Sequence, residues 1–315
     1  MSLSKLYVTL SLIAFAAVNL AQAQSTCSPD QRKQFFLTAV DKDGTVIEKL
    51  RAEYLSLKIG GAPATIADVV FRANSPLDLA VLIDASGSME EVIPTAKAAA
   101  RAFVAKVPVA GLDRVAVVSF SDKPNVLQPL TADFNALAPA IDQVRFDPPP
   151  GYVSGGVVVI ARRPIPRAPL PGTSLWDVVA ATTTELFEAS PEKRRRVMLL
   201  FTDGSDTNSS SKLKVVIDEA IKNHVAVFAM GMGYTVYSSE NDLKKLAEQT
   251  GGIAKIPGRK KEKLEAALNE VARHLRGNYL VGYCGGAAKD RAKIQLEVVD
   301  PEIRKAKPVL AYKRY

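Results

Sequence analysis

The hydrophobic pattern changes period along the chain, and those changes divide it. Four apolar runs stand out: LDLAVLID (77–84), RVAVVSF (114–120), RVMLLFTD (196–203) and HVAVFAMGM (224–232). Continuous runs of this length fit strands covered on both faces. The segments around them have helical spacing. In 91–107 the apolar positions are Val92, Ala96, Ala99, Phe103 and Val107, and in 262–277 they are Leu264, Leu268, Val271 and Leu275. Helices are also expected over 133–144, 174–189, 212–223 and 238–252, with a short strand at Ile253–Ile256. Ser174 with Asp177, and Ser239 with Asp242, read as helix starts, and Gly251 as a helix stop. Strands alternating with helices imply right-handed crossovers and an α/β fold: a doubly wound, mostly parallel sheet with helices on both faces.

The two flanks do not share this alternation. KQFFLTAVDKDGTVIEKL (33–50) places apolar runs around Asp43-Gly44, a hairpin signal. At the other end NYLVGYC, KIQLEVVD and PVLAYKRY read as strands separated by turns. The expectation is a small β unit built from 24–75 and 279–315, packed beside the doubly wound domain at 76–278. Residues 145–172 fit neither pattern. They are rich in proline and glycine with no helical spacing, and GGVVVI suggests an added strand or hairpin. So long a connection in a compact domain is usually functional, and this one is expected to cover or flank a site.

Residues 1–23 have the pattern of a secretory signal: Lys5, the apolar run LYVTLSLIAFAAVNL, then Ala21-Gln22-Ala23. The run is short for a membrane span, and no later segment approaches one. The expectation is an exported protein, periplasmic or secreted, with no membrane span in the mature chain. In an oxidising compartment the two cysteines, Cys27 and Cys284, are expected to pair. The net charge of +8 is gathered at Arg194-Arg195-Arg196, Arg259-Lys260-Lys261 and Arg162/Arg163/Arg167. These clusters read as solvated loops and helix ends. No aromatic pattern or basic helix accompanies them, so nucleic acid is not an expected partner.

The chemistry gathers at strand ends. In a doubly wound sheet, ligands lie beyond the carboxyl ends of the strands. Two predicted strands end in aspartate, at Asp84 and Asp203, and Asp84 opens the run Asp84-x-Ser86-x-Ser88. Thr173, just before a helix, could bring a further hydroxyl to the same rim. Hard oxygen donors of this kind suit a divalent cation, Mg²⁺ first, with Mn²⁺ or Ca²⁺ as alternatives. Two carboxylates neutralise the ion without excess charge, so it retains an appetite for an outside carboxylate. The competing reading is structural: Ser86 or Ser88 capping the helix near 91, Asp203 opening a turn at Gly204, and Asp206 a loop or capping residue. His224 at a strand start and His274 on a helix read as structural. There is no phosphate-binding GK[ST] loop, G-x-S-x-G elbow or cysteine nucleophile with a base, so an enzyme is not expected.

The set Asp84, Ser86, Ser88, Thr173 and Asp203, with Asp203 in FTDG, resembles the metal-ion-dependent adhesion site of von Willebrand factor type A domains. AVDKDGTVIEKL, LIDASGSM, GTSLWD, LLFTDGSDT and NYLVGY further resemble exported bacterial proteins related to that family. The resemblance implies inner-shell roles for Ser86 and Ser88. Asp84 and Asp203 would anchor charge and orient water, and Thr173 would be a switchable ligand. It also implies a non-enzymatic binding or adhesion module that meets a protein partner through a metal-bridged carboxylate, with Arg162, Arg163 and Arg167 available at the rim. The alternatives are a scaffold whose metal site is structural or vestigial, and a metal-dependent hydrolase.

Overall fold

The structure, a computed structural model, describes residues 32–312 apart from 42–44, 73–74, 149–151, 154–156, 161, 167–171, 189, 192–193, 234–235, 277 and 285–293. The leader expected at 1–23, and Cys27, lie outside the described residues.

Four strands open the chain: β1 (Arg32–Val40), β2 (Leu55–Ile59), β3 (Ala62–Ala64) and β4 (Ile66–Phe71). The alternating region follows with β5 (Leu77–Asp84), α1 (Ile93–Lys106), β6 (Arg114–Phe120), β7 (Pro124–Thr131) and α2 (Leu137–Asp142). Next come β8 (Tyr152–Val153), β9 (Val157–Ile160), β10 (Arg163–Pro166) and α3 (Leu175–Ala181). Then β11 (Arg195–Thr202), α4 (Leu213–Lys222), β12 (Val225–Met232), α5 (Val236–Thr250), β13 (Ala254–Gly258) and α6 (Lys261–Arg276) complete the region. The chain closes with β14 (Asn278–Cys284), β15 (Ile294–Val298), α7 (Pro301–Lys305) and β16 (Val309–Tyr312).

The central sheet has the order β13-β12-β11-β5-β6-β7. All neighbours are parallel except β6 with β7. Side-chain alternation in β5 explains why the run is apolar throughout. Leu79, Val81 and Ile83 pack with α1, α2 and α6 in one core. Ala80 and Leu82 pack with α3, α4 and α5 in the other. Each such side chain contributes about 1.5–3 kcal/mol by leaving water, so the sheet is fixed from both faces. β7 was not anticipated: Pro124 and Pro129 interrupt its pattern and its burial is low, as suits an edge strand.

β1, β14, β4 and β16 form one antiparallel sheet, and β15, β2 and β3 another. Phe35, Leu37, Tyr279 and Val281 belong to a third core between them. Both sheets therefore combine strands from the two ends of the chain. The hairpin turn expected at Asp43-Gly44 lies outside the described residues; beyond it a single antiparallel bridge joins Val46 to Val40, and 45–50 form no full strand. α7 fills the turn expected between KIQLEVVD and PVLAYKRY: Asp300 accepts from the Ile303 N–H and Pro301 starts a short helix.

Several local expectations change. α5 begins at Val236, so Ser239 lies inside the helix and does not cap it. It ends as expected at Gly251, whose φ is +83°. His224 precedes β12 in a turn, with φ +57°. Arg194, Arg195 and Arg196 are not a solvated cluster. Arg194 bonds Asp78, Arg195 donates to the Leu275 carbonyl, and Arg196 donates to the Asn223 carbonyl. Residues 145–172 contain no helix among those described, and β8, β9 and β10 form a small antiparallel sheet of their own.

Candidate functional site

The chain lays down β5, β6 and β7 on one side, then returns to place β11 on the other side of β5. β5 and β11 are hydrogen-bonded neighbours, so strand order reverses between them, and a crevice opens there at the carboxyl edge. Ile83 is in register with Phe201. Asp84 therefore stands opposite Thr202, and Asp203 lies one residue beyond.

Asp84 and Asp203 are both fully buried. The Asp84 carboxylate accepts the Ser86 N–H at 2.9 Å and the Thr202 hydroxyl at 2.6 Å. Among the described residues no Lys or Arg is paired with it. Burial, and then repulsion by Asp203, push the Asp84 carboxyl up to about 7, against the pull of its bonds to Thr202 and Ser86. Asp203 accepts the Ser205 N–H at 2.9 Å, and Gly204 turns with φ +78°. The expected turn at Asp203-Gly204 is thus present.

Ser86 and Ser88 do not cap a helix. Ser86 precedes a single 3-10 turn, Gly87–Met89, and its hydroxyl makes no capping bond. α1 is preceded by Val92, also without a side-chain cap. The two serine hydroxyls lie 3.2 Å apart, Ser86 buried and Ser88 exposed. Gly233 closes the third side. A Cβ there would lie 3.3 Å from Asp203 Cβ and 3.9 Å from the Ser88 carbonyl oxygen, so Asp203 and the serine loop converge.

Thr173 is buried at the same edge, held by different neighbours. Its N–H donates to Thr207 Oγ1 at 2.9 Å, and its carbonyl accepts from the N–H groups of Thr207 and Asn208. The next residue, Ser174, donates its N–H to the Ser121 carbonyl just beyond β6. Thr173 is thereby fixed between the end of β6 and the 204–211 loop, and its bonds run to that loop rather than to Asp84 or the serines.

Two contributors had been missed. Thr202 links Asp84 to the turn, since it also accepts the Gly204 N–H at 3.0 Å. Ser209 caps α3 from across the site, accepting the N–H groups of Trp176 and Asp177 at 3.0 and 3.1 Å. Ser174 occupies the capping position without making that bond, which corrects its expected role. Asp177 instead accepts from the N–H groups of Ser210 and Ser211, each at 2.8 Å. Asp206 accepts from the Ser209 hydroxyl at 2.5 Å, a loop contact. The density of Ser, Thr and Asp from 202 to 211, directly before α4, was the available signal.

The donor set suits a hard cation. Two buried carboxylates repel one another, and hydroxyls surround them. Among the described residues no three His, Cys, Asp or Glu form a metal-holding group, so any cation here relies on hydroxyl or water oxygen. Arg162, one of the three rim arginines, is exposed in the turn between β9 and β10. Arg167 and the Arg163 side chain lie outside the described residues. Among the described residues no helix is long and apolar enough to cross a membrane.

Two family models match, each described as a von Willebrand factor type A domain, over residues 79–205 and 167–275. No curated protein matches. Among solved structures, proximal thread matrix protein 1 from the mussel byssus, with zinc in its MIDAS motif, is 18% identical with a TM-score of 0.50. It aligns with 67% of this chain and 48% of its own. BatB from Bacteroides thetaiotaomicron is 14% identical with a TM-score of 0.47, over 63% of this chain and 98% of its own. A von Willebrand factor type A protein from Catenulispora acidiphila is 17% identical with a TM-score of 0.49, over 78% and 51%. The chain thus spans about half the length of the mussel and Catenulispora proteins.

Proposed function

The chain belongs to the von Willebrand factor type A domain family, and on that premise we propose that it is an exported binding module whose divalent-metal site captures an acidic side chain of a partner protein. Domains of this family generally serve as non-catalytic interaction modules and hold a divalent metal at an adhesion site. The observation that carries the reading is the buried Asp84–Asp203 pair beside two serine hydroxyls that cap no helix. Ser86 and Ser88 would hold the ion, Asp84 and Asp203 would neutralise it and orient water, and Thr173 would complete the shell. A cation bound there supplies an electrophilic position for a carboxylate oxygen. Thr202 and the Ser86 N–H orient the Asp84 carboxylate. Gly204 and Gly233 let the backbone close around Asp203.

Thermal unfolding in EDTA and in Mg²⁺, Mn²⁺, Ca²⁺ or Zn²⁺ tests this, with zinc included because of the mussel protein. A cation at 100-fold its Kd adds about 2.7 kcal/mol. The rise is expected in the wild type and absent in Asp84→Ala. A flat response to every ion would remove the metal from the reading. Partner binding that survives EDTA would favour a scaffold whose contacts lie elsewhere. The reading also takes 1–23 as a removed leader and Cys27–Cys284 as a disulfide. An intact mass lacking those residues and two hydrogens checks both.

A further inference from the structure

Beside the serine loop an open groove of about 590 Å³ runs between α1 and the chain leaving α2. It starts at Glu90, two residues past Ser88. Its apolar surface comes from Ile93, Val144, Phe146 and Tyr152, with Phe146 and Tyr152 in edge-to-face contact, centroids 5.1 Å apart. The Tyr152 hydroxyl donates to Glu90, which ties β8 to the end of the serine loop.

The charges lining it do not cancel. Glu90 is engaged by Tyr152, and Asp142 by Arg101. Lys97 donates to the carbonyls of Asp142 and Val144 at 2.7 and 2.8 Å, which engages two of its three N–H groups but pairs its charge with no described carboxylate. Arg145 is exposed, and no ion pair joins it to a described carboxylate. Asp147 is an exposed acid beside Phe146, but beyond it the sequence has no acid from 148 to 176, while Arg162, Arg163 and Arg167 add positive charge.

We propose that this groove holds an extended acidic–apolar segment of the partner protein, with a carboxylate near Lys97 and Arg145 and apolar side chains on Phe146 and Tyr152. This rests on the metal reading for its origin: the groove opens at Glu90, two residues past Ser88, and so offers a path to a chain whose carboxylate reaches the serine loop. Complementary charge then fixes the direction in which the segment lies.

The test is a displayed library of octapeptides with one fixed central Asp, selected on the full chain in Mg²⁺. Wild type enriches peptides with apolar residues and a second acid on one side of the fixed Asp. Arg145→Glu lowers the affinity of the best peptide about tenfold and selects Lys or Arg at the second position. Phe146→Ala weakens all of them without changing the charge preference. Binding lost in EDTA but indifferent to both substitutions overturns the groove and leaves the metal reading intact. Binding that survives EDTA but falls in Arg145→Glu keeps the groove and overturns the metal reading. No enrichment under any condition overturns both.

Discussion

β5 carries an aspartate near each end, Asp78 and Asp84, both fully buried. At the lower end Arg114 holds Asp78 at 2.9 and 2.5 Å, Arg194 at 2.6 Å and Ser190 at 2.6 Å. Burial pulls the Asp78 carboxyl up, but the bonds from Arg114, Ser190 and Arg194 more than offset it and hold it low. At the upper end Asp84 has a hydroxyl, an amide and a second carboxylate for company, and is pushed up to about 7. One strand therefore shows two treatments of a buried charge. Where the chain supplies the counter-cation, the carboxylate is structural. Where no described residue supplies it, the carboxylate is suited to a cation from outside.

The largest expected effect separates the two ends directly. Asp78→Ala leaves Arg114 and Arg194 without their carboxylate and should cost about 3 kcal/mol in urea unfolding. Asp84→Ala in EDTA should stay within about 1 kcal/mol of wild type, because relief of repulsion from Asp203 offsets the lost bonds. If Asp84→Ala proves as damaging as Asp78→Ala in EDTA, the upper carboxylate is a structural element too and the contrast fails.

The lower end should carry an acid sensitivity of its own. His274 is 2% exposed, against Phe228 and 3.9 Å from Glu270. Burial lowers its pKa to about 4; Glu270 opposes that, while Arg195, Lys255 and Arg273 reinforce it. A histidine depressed from about 6.5 contributes fully at higher pH. That contribution is lost as pH falls through 6.5 toward 4, because the unfolded chain takes the proton first. Asp84 titrates in the opposite sense: its raised carboxyl takes a proton in the folded chain as pH falls through about 7, which stabilises. In EDTA the two contributions oppose each other in wild type, whereas Asp84→Ala, which lacks that gain, should lose about 2 kcal/mol from pH 7 to pH 5. A profile flat over this range in Asp84→Ala would contradict the burial argument.

How much of this was legible follows from what each feature depends on. The runs 77–84 and 114–120 gave their strands to the residue because both faces are buried, and burial on both faces leaves a continuous signature. β7 left none, being an edge strand broken by Pro124 and Pro129. The residues at the upper end were readable because strand ends in this fold face one crevice. The lower end was not readable. Arg194 is distant from Asp78 in sequence, and a run of three arginines looks like surface until the sheet brings β5 beside β11. Capping was misread for a related reason. Ser209 reaches α3 from another loop, and local spacing cannot report a cap supplied from a distance.

The smallest effect decides what the serine hydroxyls are for. A serine that caps a helix costs about 1 kcal/mol when changed to alanine, whatever ions are present. Neither Ser86 nor Ser88 makes a capping bond, and their hydroxyls meet each other at 3.2 Å. In EDTA, Ser88→Ala should therefore be nearly silent, and Ser86→Ala, which empties a buried hydroxyl position, should cost at most about 1 kcal/mol. Both should blunt the metal-induced rise in Tm. The opposite result, a capping-sized loss in EDTA with an unchanged metal response, would make Asp84-x-Ser86-x-Ser88 a structural loop. The upper end of β5 would then differ from the lower only in how incompletely its charge is satisfied.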